Sequence, residues 1–481
     1  MPSLKLKKIT ATWIVIVLLL FVVAIILGIL MRFNQGAVLH QSPYTFYSNM
    51  TTHGLTMIGI WFVAGMAGLH FLMQRYVKVN ALPNSIGLVM TVIGVLMLWT
   101  STFIGKFHAG WTFLYPLPFK VAWAEWATPL FLWSLVVLVA GWLIWSIGLM
   151  AQFLKKYSIA QCFAWQHFTK KEPEVSTPPF VLIAMISLTG IVTSLIAAVV
   201  MVVLFFAEFY SKAGFVNDAL LMKNMIYFFG HTIANEMLYL GLAILYELFA
   251  EVSGRPKWKT TWYVAIAWNL TLIFILTAFF HHMYMDFVQP KGLQIVGQLA
   301  SYLASLPAAG VTVFSLLVAV YNTKIKWSLT NLLFFIGVMG WITGGVGAVI
   351  DATISNNFVL HNTLWVPAHF HTYNAMGNVL FSLAFFYWFG TQFSKTTLSK
   401  KLSRVIISFL VVGAIGFLTV FYIAGAQGTP RRVSFYAAEF QQAPMLAWVG
   451  GAFALIYLLA ILLFFTDIGR KCIKIIFSRE S

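Results

Sequence analysis

Residues 359–374 read Val-Leu-His-Asn-Thr-Leu-Trp-Val-Pro-Ala-His-Phe-His-Thr-Tyr-Asn and lead straight into a long apolar stretch. His369 and His371 stand two residues apart. On an α-helix such a pair points about 200° apart, so one helix hands an imidazole to each of two different partners. Ionisable groups inside a membrane are costly and usually functional. What those two imidazoles meet is the central question.

The surrounding chain sets the medium. Of 481 residues, 60% are hydrophobic and only 9% charged, with a mean hydropathy of +0.87. A soluble chain carries about 25% charge. Apolar runs of about 20 residues are too long for barrel strands, so the chain reads as an all-α polytopic membrane protein. Twelve spans are predicted, at roughly 12–32, 54–74, 83–105, 122–153, 179–208, 223–250, 261–286, 295–321, 329–352, 362–392, 403–424 and 443–467. They form a single transmembrane catalytic domain over 1–481, since no stretch reads as a soluble module. The basic start at Lys5, Lys7 and Lys8 enters a full-length span rather than a cleavable signal.

The net charge of +17 invites a nucleic-acid partner, and its distribution excludes one. With the N-terminus in the cytoplasm, 22 of the 30 Lys and Arg fall on the inner side, including Lys155, Lys156, Arg255, Lys257 and Lys259, and only 8 on the outer side. That asymmetry obeys the positive-inside rule and places both termini in the cytoplasm. Cys162 and Cys472 give no disulfide framework, no CxxC and no CxxCH.

Six histidines then fall at one depth, in the outer third of the membrane. His53 opens the second span, His231 lies two turns into the sixth, His281 and His282 end the seventh, and His369 and His371 open the tenth. One such His reads most simply as a packed residue bonded to a carbonyl; six together read as metal or haem ligands. His281 and His282, about 100° apart on a helix, can both face a neighbouring helix where His231 supplies a third nitrogen. Three imidazoles with an open position suit copper or another borderline metal. His53 and His371 can ligate one haem from both sides, whereas His369 alone leaves a second haem five-coordinate and reactive. Arg431 and Arg432, in the last outer loop, can meet haem propionates.

On these residues the chain resembles the catalytic subunit I of the haem–copper oxidase superfamily, from the Thr-His-Gly around His53 to the Pro-Arg-Arg ending at Arg432. The stretch from His361 to His371 is most similar to the B-type branch, with Ala368 where that branch has glycine. The resemblance implies a bundle of about twelve helices, a low-spin haem on His53 and His371, a high-spin haem on His369, and copper on His231, His281 and His282. It implies propionates held by Arg431 and Arg432 with His361 nearby. It also implies an electron-donating subunit II of cupredoxin or cytochrome c type (or direct supply from quinol), lipid contact, a gaseous substrate, and residence in a prokaryotic plasma membrane.

One departure carries information. Oxygen-reducing A and B members of that superfamily carry a tyrosine four residues after the first copper histidine, a position stacked over it on the helix. Here that residue is Asn235. The C branch places its tyrosine on the seventh helix, and Ile273–Thr277 supplies none, while Tyr284 follows the His pair. Splitting O2 in one step takes four electrons, one more than the two reduced metals hold. Coupling two NO to N2O takes two. The absence of the tyrosine therefore predicts a nitric oxide reductase; the alternative is a B-type terminal oxidase that reduces O2 with proton translocation. A transporter has no use for a metal triad beside a five-coordinate haem.

Asn235 is the expected metal-side amide. Glu236, among the few deep acids with Glu125 and Glu247, is a second catalytic candidate. At i+5 it points about 140° away from His231, so that role needs a π-bulge. Glu236 as a ligand would favour iron over copper. A proton line is sketched by Tyr246, Ser301, Tyr302, Ser305 and Thr312, thinned at Ala308–Val311.

Overall fold

The computed structural model describes residues 3–119, 122–169, 173–325 and 327–478, and apart from one isolated bridge their regular structure is helical. Among the described residues, eleven helices are long and apolar enough to cross a membrane. They are α1 (Leu4–Gln35), α2 (Pro43–Met73), α3 (Leu82–Ile104), α4 (Ala127–Leu154), α5 (Pro179–Phe209), α6 (Ala219–Val252), α7 (Trp262–Met283), α8 (Gly292–Val320), α9 (Leu329–Ala352), α11 (Lys400–Ala426) and α12 (Ala443–Ile476). The tenth expected span is also present, but in three consecutive pieces. Trp365–Tyr373, a π-turn at Asn374–Asn378 and Val379–Ser394 together make α10. Asn374 Nδ2 donates to the Phe370 carbonyl at 2.9 Å, competing with the backbone for the acceptor a regular turn would use.

Local chemistry starts the helices where the polarity pattern changes. Ser3, Ser42, Asp218, Thr261 and Ser399 each accept a hydrogen bond from a backbone N–H of the first turn. Ser328 and Asn331 form a reciprocal capping box at the start of α9.

Consecutive helices pack side by side, and α1 closes against α12. The interior belongs to α2, α6 and α10. In their most apolar windows α2 is 78% and α6 89% buried, against 28% for α8. Small residues allow the close approach: a Cβ on Gly65 of α2 would meet Leu240 Cβ at 2.8 Å, and one on Gly241 of α6 would meet Phe381 of α10 at the same distance. At the ends of these helices away from the histidines, Arg75 pairs with Glu247 (2.7 Å) and Glu251 (2.8 Å), and Trp388 Nε1 donates to Glu251. That cluster pins the three central helices together below the site. It also accounts for Glu247, while Glu125 lies in an exposed turn rather than deep in a helix.

Candidate metal and haem centre

Four helices deliver the six histidines to one cavity of about 440 Å³, whose lining includes His53, His231, His281, His282, His369 and His371 together with Asn235, Arg431 and Arg432. His53 Nδ1 lies 2.7 Å from the Ala24 carbonyl and His371 Nδ1 2.7 Å from the Pro367 carbonyl. Each bond fixes the tautomer with the proton on Nδ1 and turns a basic Nε2 into the cavity. The two ring centroids are 6.3 Å apart with planes 20° from parallel. Two bonds of about 2.0–2.1 Å along one axis put ligating imidazole centroids about 6 Å apart, so one iron fits between them. Gly28 belongs to this cradle, since a Cβ there would meet His53 Cε1 at 2.9 Å.

Arg32 extends the same pocket and was not singled out from sequence. It is 7% exposed, lies 4.5 Å over the Phe421 ring, and bonds Gln35 and Tyr436 through Nη1. Its Nε and Nη2 are buried without protein partners. Unpaired buried guanidinium donors beside the His53–His371 pair fit an anionic or carbonyl group at the edge of a haem. A charged residue on an apolar span was the available signal, masked by its place near the span's end.

The second cluster is tighter. Candidate ligand atoms of His231, His281 and His282 all lie within 4.8 Å of one another. The reason differs from the sequence expectation: α7 ends in a 3₁₀ turn at Phe279–Met283, so the adjacent histidines diverge by about 120° rather than about 100°. His281 Nδ1 contacts Ser301 Oγ at 2.9 Å, and His231 Nδ1 is buried without a partner. An imidazole triad with further room in the cavity suits a borderline metal that keeps a substrate position. Asn235 Nδ2 stands 3.5 Å from His231 Nε2 while donating to the His231 carbonyl at 2.9 Å.

Glu236 does not join this group. Helix α6 is regular through the site, without the π-bulge that such a role requires, and Glu236 faces α5, where a Cβ on Gly190 would lie 2.0 Å from its Oε1. Its carboxyl is fully buried and absent from the cavity lining. The i+5 direction prevails. A carboxylate ligand from Glu236, and the argument for iron that depended on it, therefore fall away.

His369 shares the cavity, and neither ring nitrogen makes a hydrogen bond. The nearest charged group is Asp351 of α9, its Oδ2 3.4 Å from His369 Nε2. Asp351 also went unremarked in the sequence, although it is the sole acid in an apolar span.

The loop that carries the two arginines is braced. Thr363 and Pro430 form the bridge, Leu364 N–H donates to the Thr429 carbonyl and Arg431 N–H to the Asn362 carbonyl. Burial and the neighbouring Arg432 bring the Arg431 guanidinium down to about 10. His361 stands just outside the cavity lining; burial and Arg431 hold its imidazole down to about 4.

The tyrosines divide. Tyr284 is fully buried and donates to the Ala352 carbonyl, and Tyr239 donates to the Ala304 carbonyl. Tyr227 and Tyr373 line the cavity, Tyr227 stacking on His282 at 4.7 Å. Of the sketched proton line, Tyr246 meets Thr312 (3.1 Å), Ser301 meets His281, and Tyr302 turns instead to Thr353.

These features define a multi-pass helical membrane protein that gathers six histidines round one buried cavity. The chain belongs to the haem–copper oxidase subunit I family: the family profile for cytochrome c and quinol oxidase polypeptide I matches residues 8–456. It is 27% identical over 430 residues to a probable cytochrome c oxidase subunit 1 of Bradyrhizobium diazoefficiens, covering 85% of this chain and 62% of that one. It is 24% identical over 425 residues to cytochrome c oxidase subunit 1 of Synechocystis (85% and 73%). A cytochrome bo(3) ubiquinol oxidase subunit 1 of Buchnera aphidicola is also 24% identical over 431 residues (85% and 62%). The fold matches a solved haem–copper terminal oxidase dimer with a TM-score of 0.75 at 22% identity, over 100% of this chain and 85% of that one.

Proposed function

We propose that this chain is the catalytic subunit of a membrane nitric oxide reductase that converts two NO, two protons and two electrons to N2O and water. The observation that carries the reading is Asn235, an amide 3.5 Å from His231 Nε2 in the position where a phenol would serve O2 cleavage. Tyr284 and Tyr239 do not substitute, since both hydroxyls are spent on backbone carbonyls.

In this reading His53 and His371 hold the low-spin haem, His369 the high-spin haem, and His231, His281 and His282 a copper. Arg431, Arg432 and Arg32 receive the acidic haem edges. When bound, these groups supply electrons and bind the gas. The protein's own part is to fix the ligand tautomers through Ala24, Pro367 and Ser301, to keep the site dry, and to present the Asn235 amide to a substrate oxygen. The chain works as one domain in a prokaryotic plasma membrane, both termini cytoplasmic, closest to the B-type branch, with electrons from a cupredoxin- or cytochrome c-type subunit or from quinol.

A second reading is an O2-reducing terminal oxidase, which the printed names of the relatives carry. Tyr227, stacked on His282 in the cavity, would then provide the phenol. Steady-state turnover of the purified complex on NO and on O2, by electrode in one preparation, decides between them. Fast NO loss with one N2O per two NO supports the first reading. Fast O2 reduction to water, abolished in Tyr227→Phe, replaces it with the second.

A further inference from the structure

The histidine triad is drawn from two elements that touch each other little. Helix α6, which carries His231, packs chiefly on α5 and α2, whereas α7, which carries His281 and His282, packs on α8. What joins them beside the triad is a ladder of contacts. Lys223, Tyr227 and His231 follow at four-residue intervals along one side of α6. His282 and Asp286 are likewise four apart at the end of α7. Lys223 Nζ donates to both carboxylate oxygens of Asp286, at 2.8 and 2.7 Å. Tyr227 stacks on His282, with ring centroids 4.7 Å apart and planes 19° from parallel. His231 then meets His281 and His282 at 4.8 and 5.4 Å between ring centroids. Asp286 is itself fixed, because its N–H donates to the carbonyl of Met283 at the end of the 3₁₀ turn. The Lys223 and Asp286 side chains are 27% and 18% exposed, so both charges are largely withdrawn from solvent and answer to each other.

We propose that Lys223 and Asp286 are positioning residues for the non-haem metal, their ion pair holding the end of α7 in register with α6 so that His231, His281 and His282 converge on one ion. Neither side chain lines the cavity, so the action runs through the helix ends rather than through contact with a metal or substrate. The segment that carries His281 and His282 needs such support. A 3₁₀ turn has poorer hydrogen-bond geometry than an α-helix and does not hold its own register well. A metal ligand is useful only while its supporting contacts keep it close to the productive geometry. Removing one partner leaves the other charge partly buried and unpaired, so the clamp fails as a unit rather than by halves.

The inference rests on the reading that the triad holds copper, which His281→Ala checks separately by loss of the non-haem metal in elemental analysis. The clamp is then tested on the reduced, purified complex by the rate at which copper passes to excess bathocuproine disulfonate, a cuprous chelator. Lys223→Met and Asp286→Asn should each speed that release about tenfold or more, the scale on which supporting contacts of metal ligands act. The low-spin haem spectrum should be unchanged. Lys223→Arg keeps a bidentate cation for the carboxylate. It and the exchanged pair, Lys223→Asp with Asp286→Lys, should stay within about threefold of wild type, a rescue that packing alone does not provide. If a single neutral variant does not assemble, Lys223→Met combined with Asp286→Asn, which leaves no charge unpaired, is held to the same tenfold. Wild-type release in the neutral variants, or release in both charge-keeping variants as fast as in the neutral ones, overturns the proposal. Metal retained in His281→Ala removes instead the triad reading beneath it.

Discussion

Asn235 Nδ2 lies 3.5 Å from His231 Nε2, one helical turn below it, while the same amide group donates to the His231 carbonyl at 2.9 Å. The amide is thus anchored to the backbone and held beside the His231 ring. A donor fixed in this way costs little to reorganise when a substrate oxygen arrives. Asn235→Ala should lower NO turnover by about tenfold to a hundredfold, in line with the loss of one preorganised donor. Metal content and both haem spectra should be unchanged. An NO electrode and metal analysis on one preparation check this, and loss of the metal would reassign the residue to structure.

The triad makes a different demand. His281→Ala should remove the non-haem metal, measured by elemental analysis as a fall from one equivalent per chain towards zero. The low-spin haem spectrum should survive, because His53 and His371 sit on other helices.

Gly28 offers a steric test of the low-spin position. A Cβ at this residue already meets His53 Cε1 at 2.9 Å, so Gly28→Val forces the imidazole off its axis. Low-spin haem absorbance should be lost or converted to a five-coordinate form, while CO still binds the high-spin haem.

Glu236 gives the reverse expectation. Facing Gly190 and away from the cavity, it should be dispensable for chemistry: Glu236→Gln should keep NO turnover within about twofold, since removing an unpartnered buried acid relieves a desolvation cost. Gly190→Ala should be worse tolerated, costing about 1–3 kcal/mol by overpacking and lowering the thermal midpoint of the complex.

The catalytic reading of Glu236 ran against its own i+5 direction, whereas twelve apolar runs and the grouping of six histidines were legible in the sequence, because each depends on local period and residue type. Three features were not. The 3₁₀ end of α7 and the π-turn in α10 come from side chains and packing that compete with the regular helix, which an apolar count does not register. Arg32 escaped notice because it looked like ordinary interfacial charge; only the contacts with Phe421, Gln35 and Tyr436 bring it to the site. Asp351 was visible as a lone acid, but its meaning lies in a neighbour eighteen residues on, beyond a loop whose path sequence period does not reveal.

The 6.3 Å spacing of His53 and His371 has a consequence for assembly. Those residues sit on α2 and α10, 318 positions apart in the sequence, and both cysteines are free. In the proposed function, an iron shared by the two rings would act as a long-range cross-link, removing loop-closure entropy from the unfolded chain much as a disulfide does. Because a bound cofactor stabilises only the folded bundle, haem delivery and completion of the fold would then become one event, and a chain without its haem would be more loosely tied and more open to proteolysis.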